Sequence, residues 1–143
     1  MSNFIERMKE YMIDLHLTQK ELEGKYNLPN ATISGFLHGK TMPTYQTLIK
    51  LLDVFNCSAD FLLGREEYPT EETLYPVQPF CQRFRQVLLE KNISQEKLKR
   101  ELNISSSVLY KWLIGKNQPS ASSLIRLAEF LDCSIDYLIG RRK

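Results

Sequence analysis

The chain repeats itself. Shifted by 76 residues, positions 4–65 fall on positions 80–141 without a gap, and 18 of the 62 pairs are identical. Identity spread over so long a period marks two copies of one folded unit rather than one continuous core. The repeat sets the expected boundaries: one copy over 1–65, a linker over 66–79 and a second copy over 80–143. Units of roughly 60 residues lie near the lower limit for an independent core, so each must be compact.

Within a copy the apolar spacing is helical. Phe4, Ile5, Met8, Tyr11, Met12 and Leu15 recur every three to four residues as the core stripe of a first helix, and Phe80, Phe84, Val87 and Leu88 repeat it. Thr18, with Glu21 three residues on, is a capping-box pattern that opens a second helix. Asn27 and Asn103 close that helix, because asparagine tolerates the left-handed backbone that a tight turn between crossing helices needs. A third helix is expected from about residue 29 to 36, with Leu28, Ile33 and Phe36 inward; in the second copy Ser105 caps its counterpart. Leu48, Ile49, Leu51, Leu52 and Phe55 make a fourth helix. Ser58 and Ser134 open a short fifth one, which Gly64 and Gly140 stop. The expected fold is all-α, with five helices per copy.

The richest motif lies between residues 94 and 119. Its residues Ser94, Gln95, Leu98, Ile104, Leu109, Trp112, Gly115 and Pro119 resemble the Cro/C1-type (lambda-repressor-like) helix-turn-helix family, and the repeat extends the resemblance to both copies. The resemblance implies tandem domains that bind double-stranded DNA. The residue opening the second helix would contact a phosphate, and the exposed first turns of the third helix would read base edges in the major groove. Carried over by position, Gln19 and Gln95 are backbone contacts. Asn30, Ala31, Thr32 and Gly35 face bases in the first copy, and Ser106, Ser107, Val108 and Lys111 do so in the second. Lys40, Lys116 and Asn117 touch the backbone again after the third helix.

Two positions depart from the family's pattern. Many relatives pair a buried Arg and Glu between the first and third helices, whereas this chain has Met12 with Leu37 and Leu88 with Leu113. A small residue usually follows the buried leucine of the second helix; here Glu23 and Lys99 stand in its place, a departure that bears on the packing angle of the motif.

Charge divides the copies further. Residues 1–65 carry seven Lys/Arg and seven Asp/Glu, residues 66–79 four Glu and no base, and residues 80–143 twelve Lys/Arg against six Asp/Glu. Affinity for a phosphate backbone follows local positive charge, so the second copy is expected to dominate DNA binding. Lys111 can donate to guanine O6 and N7, the serines can donate or accept, and Val108 can pack on a thymine methyl. Gly35, at the position of Lys111, offers no donor. The expected function is a sequence-specific transcriptional regulator, acting as a repressor. The alternative is a protein-interaction module, in which the first copy no longer binds DNA and instead serves a homodimer or another protein.

Other classes find little support. No nucleophile, base and orienting group stand at a recognisable spacing and no glycine-rich phosphate loop occurs, so no enzyme is expected. His16 and His38 stand at no metal-ligand spacing, so neither metal nor cofactor is expected. Cys57 and Cys133 occupy matching places and read as small buried hydrophobes. No apolar run reaches the length of a membrane span and the charged start is not a signal peptide, so the expectation is a cytoplasmic protein with no membrane partner. The linker, with Pro69, Pro76 and Pro79, reads as a semi-rigid tether of roughly 45 Å reach, although Tyr75 and Val77 are apolar enough to dock. Arg141, Arg142 and Lys143 read as a solvated basic end.

Overall fold

The computed structural model describes residues 2–143, and its backbone divides into two compact units, Met1–Glu71 and Glu72–Lys143. The first unit contains α1 (Ser2–Asp14), α2 (Gln19–Lys25), α3 (Thr32–Leu37), α4 (Tyr45–Phe55) and α5 (Ala59–Leu62). The second contains α6 (Phe80–Glu90), α7 (Gln95–Leu102), α8 (Ser106–Ile114), α9 (Ala121–Leu131) and α10 (Ile135–Leu138). The described residues contain no strand.

Hydroxyl side chains start these helices. The oxygens of Thr18, Thr44, Ser58, Ser94, Ser105, Ser120 and Ser134 each accept the amide of the residue three positions on, satisfying a donor that has no partner inside the helix. Left-handed residues stop them. Asn27, Asn56, Asn103 and Asp132 all take positive φ, and His16 and Asn92 do the same at the matching turn after the first helix of each unit. His16 is thus a turn residue. Cores close around Phe4, Met8, Leu22, Ile33, Leu48 and Leu62 in one unit and Phe84, Leu98, Leu109, Leu124, Leu127 and Leu138 in the other, all nearly free of solvent.

One helix starts later than the repeat suggests. α3 begins at Thr32, not near residue 29, and its preceding residue Ala31 is left-handed with no side-chain cap. The cause is Pro29, which occupies the place of the capping Ser105 and has no hydroxyl with which to accept an amide. Asn30 and Ala31 therefore lie in the turn ahead of the helix rather than on its first outward turn. Leu15 also leaves the expected core stripe, because α1 ends at Asp14 and Leu15 stands exposed in the turn beyond it. Cys57 is buried as expected, whereas Cys133 is only half-buried.

Each unit fastens its last helix to its first with an arginine. Arg7 donates to the Phe61 carbonyl with its guanidinium 3.9 Å over that ring, and Arg83 donates to the Tyr137 carbonyl at 2.8 Å with its guanidinium 4.3 Å over the ring. Arg85 adds a tie from α6 to the end of α8, donating to Leu113 O at 2.7 Å beside the apolar Leu88 and Leu113.

The C-terminal residues are built into the fold, which corrects the expectation of a solvated basic end. Asp136, fully buried, accepts from Arg141 Nη1 at 3.2 Å, and its carbonyl takes the amides of Arg141 and Arg142. Asp60 and Arg65 repeat the pair at 2.8 Å in the first unit. Residues ahead of α6 lie along this closure as a strap: Tyr75 N donates to Arg141 O at 2.8 Å, Gln78 N to Ile139 O at 3.1 Å, Glu72 pairs with Arg142, and Lys143 covers the Tyr75 ring. On the other side Glu67 O accepts from Arg7. The fourteen residues expected to act as a tether therefore do not all hang free.

Candidate nucleic-acid interface

The second unit assembles its face from α7, α8 and the loop that follows. Ser94 caps α7, placing Gln95 as its first residue, exposed at the rim of a shallow cavity of about 350 Å³ lined by Arg85, Leu88, Leu89, Ile93 and Leu113. Asn103, at φ 53° and ψ 48°, turns the chain into α8. Leu109, Trp112 and Leu113 bury the inner side of α8, so Ser106, Ser107 and Val108 stand outward on its first turn with Lys111 half-buried beyond them. The loop then folds back: the amides of Lys116 and Asn117 both donate to Lys111 O, at 3.0 and 3.3 Å. That shared acceptor sets exposed Lys116 and Asn117 beside the end of the reading helix.

The same face holds two residues missed in the sequence reading. Tyr110 is 61% exposed and Ile114 46%. Helical spacing could have found them, since Tyr110 lies four residues after Ser106 and Ile114 three after Lys111. Tyr110 brings an aromatic surface and a hydroxyl to a face otherwise made of short side chains and one lysine.

The first unit builds the same outline with different chemistry. Gln19 opens α2 behind Thr18, whose side chain and amide both engage Glu21 and hold that carboxyl below its usual range. Asn30 and Ala31 are exposed in the turn, Thr32 is half-buried at the start of α3, and Lys40 is exposed beyond it. At Gly35, which stands in the place of Lys111, an added β-carbon would come within 2.8 Å of Thr41 Oγ1, so a threonine hydroxyl closes the space beside it. His38, in the place of Ile114, turns its Nδ1 back to Ser34.

Glu23 and Lys99 perform matching tasks with opposite charge. Glu23, only 8% exposed, accepts the amide of Ile33 at 2.9 Å and so supplies the cap that Pro29 cannot. Lys99 donates to Ser106 Oγ at 3.2 Å while pairing with Glu96 at 2.8 Å. Each latches its second helix to its third. A fixed carboxylate at the start of α3 repels a polyanion, whereas an ammonium at the start of α8 attracts one. Glu23→Ala is expected to lower the stability of the first unit by about 1–3 kcal/mol, because it strands the buried Ile33 amide. Urea denaturation checks this, and a loss below about 0.5 kcal/mol would show that the latch carries no stability.

Two helices crossing at a left-handed turn, the second capped and presenting a polar outer face, define each unit as a helix-turn-helix domain. The chain belongs to the Helix-turn-helix family of the Cro/C1 type, whose profile matches it twice, over residues 8–62 and 84–138. It is similar to the HTH-type transcriptional regulator ImmR of Bacillus subtilis (strain 168), 37% identical over 62 residues that make up 43% of this chain and 49% of that protein. It is also similar to the HTH-type transcriptional activator BcrR of Enterococcus faecalis, 33% identical over 61 residues, 43% of this chain and 30% of that protein. The match thus covers about half or less of the curated relatives' own length. No solved structure matches the chain at a significant level. Among the described residues no helix is long and apolar enough to cross a membrane, and no cluster of His, Cys, Asp and Glu could hold a metal ion.

Proposed function

We propose that the protein is a sequence-specific DNA-binding transcriptional regulator in which the second unit supplies most of the affinity. The observation that carries this is the outward face of α8, where Ser106, Ser107 and Tyr110 are exposed and Lys111 is half-buried behind them, with Lys116 and Asn117 folded back beside the helix end. Side chains of this kind match base-edge acceptors and flanking phosphates of a major groove. The relatives named as transcriptional regulators support the reading, and one of them is named an activator, so likeness does not give the sign of regulation. We assign repression, which needs only that the bound site be occupied.

Selection of bound duplexes from random-sequence DNA tests this, and recovery of no enriched motif would overturn it. On the selected duplex, Lys111→Ala should weaken binding by about 1–3 kcal/mol, roughly 5- to 150-fold, with relaxed preference at one base position. Equal weakening on every sequence would make Lys111 a phosphate ligand instead. A first unit that bound the selected duplex as tightly as residues 72–143 would end the asymmetry.

A second reading concerns the first unit alone: that it serves a protein partner or a second copy of the chain rather than DNA. Glu23 at the start of α3, the threonine hydroxyl against Gly35 and the His38 ring tied back to Ser34 favour it. Footprinting by a proven monomer separates the readings. Protection of about 15–20 base pairs is expected if both units sit on half-sites one helical turn apart, and protection of one half-site if the first unit does not.

A further inference from the structure

We propose that Lys99 is a positioning residue for base recognition: by donating to Ser106 Oγ it occupies one of the two acceptor sites of that hydroxyl and turns its proton outward, so that this contact favours an acceptor on the DNA. The inference rests on the DNA-binding reading of α8. A free serine hydroxyl is ambivalent, since its one proton and two lone pairs let it donate to a base or accept from one. An ammonium has donors only. With Lys99 Nζ at 3.2 Å, Ser106 Oγ must be the acceptor of that bond, and its own proton is left to point elsewhere.

The surroundings leave that proton little choice. Ser106 is the first residue of α8, so it has no carbonyl one turn back within its own helix on which a serine proton usually rests. The side chain is exposed, and the direction left open is outward. The lysine is itself held in place, paired with Glu96 Oε1 at 2.8 Å and with only 24% of its side chain exposed. A hydroxyl that already accepts from an ammonium is a stronger donor with one acceptor site left, so it favours purine N7, guanine O6 or thymine O4 over the cytosine amino group. The first unit supplies the contrast. Its corresponding residues, Glu23 and Asn30, form no such pair, because the Glu23 carboxylate is directed to the Ile33 amide.

The test uses the full chain and the duplex selected by the unaltered protein, with single positions replaced by 7-deazapurine or by cytosine. Lys99→Met, which keeps the stem but removes the donor, is expected to reduce discrimination at one base position by about five-fold, the scale of one directed hydrogen bond. Ser106→Ala should erase the same preference, and the two changes together should cost no more than either alone. Lys99→Arg should restore the preference. Melting of the second unit should fall by a similar small amount in Lys99→Met and Ser106→Ala, whereas a merely structural role would lower melting without changing the base preference. Uniform weakening on every duplex together with a smaller salt slope would make Lys99 a phosphate contact and overturn the proposal. So would additive losses in the double variant. An unaltered protein that enriches no sequence sinks the DNA-binding reading itself, and this inference falls with it.

Discussion

Phe84→Ala is expected to remove much of the stability of the second unit and leave that of the first unchanged. Phe84 is wholly buried, stacked on Phe80 at 5.1 Å between centroids and edge-on to Trp112 at 6.3 Å, so one ring joins the start of α6 to the inner face of α8. Truncating a buried phenylalanine costs about 3–5 kcal/mol. A domain of this size has roughly 4–11 kcal/mol in total, at 0.05–0.15 kcal/mol per residue, so the loss takes much of its stability. The chain's one tryptophan, Trp112, reports on the second unit alone, whereas far-ultraviolet circular dichroism reports on both. In urea the tryptophan transition should move to much lower denaturant and the circular dichroism curve should split in two. Binding to the selected duplex should disappear with the early transition. A single unsplit transition would mean that the two units unfold as one.

Asp136→Ala should come next in size, at about 3 kcal/mol. Its carboxylate is fully buried and meets Arg141, whose side chain is 12% exposed, so removing it leaves a largely desolvated guanidinium without this partner. Breaking a buried pair from one side costs about 3–5 kcal/mol, while replacing both members by apolar residues is often neutral. The partial exposure of Arg141 places the effect near the lower bound. Asp136→Leu combined with Arg141→Met should therefore recover much of the loss. If the single change costs under 1 kcal/mol, the pair behaves like a surface contact and the account of the C-terminal closure fails.

Legibility in the sequence followed the range of each interaction. The capping hydroxyls and the left-handed asparagines act within three or four residues, so the helices and the turn between α7 and α8 could be read from neighbouring letters. The start of α3 could not be projected by the repeat, because Pro29 replaces the capping serine and the substitute, Glu23, reaches in from another helix. The same holds for Arg141, whose task is visible only once Asp136 is placed beside it. Lys99 departs visibly from the motif, yet its bond to Ser106 spans a turn whose geometry spacing alone does not supply. Tyr110 lies within reach of helical periodicity, since it follows Ser106 by one turn.

The strap also bears on where this chain can be cut and rejoined. The repeat places the start of the second copy at Phe80, but Gln78 N and Tyr75 N are fastened to the backbone of residues 139 and 141, and Glu72 to Arg142. A second unit transplanted into another protein therefore has to carry its leader from Glu72 onward. One begun at Phe80 would uncover the Ile139 and Arg141 carbonyls and the underside of the closing turn. The portable module is longer at its front than its internal homology suggests, and the division between the two compact units falls after Glu71.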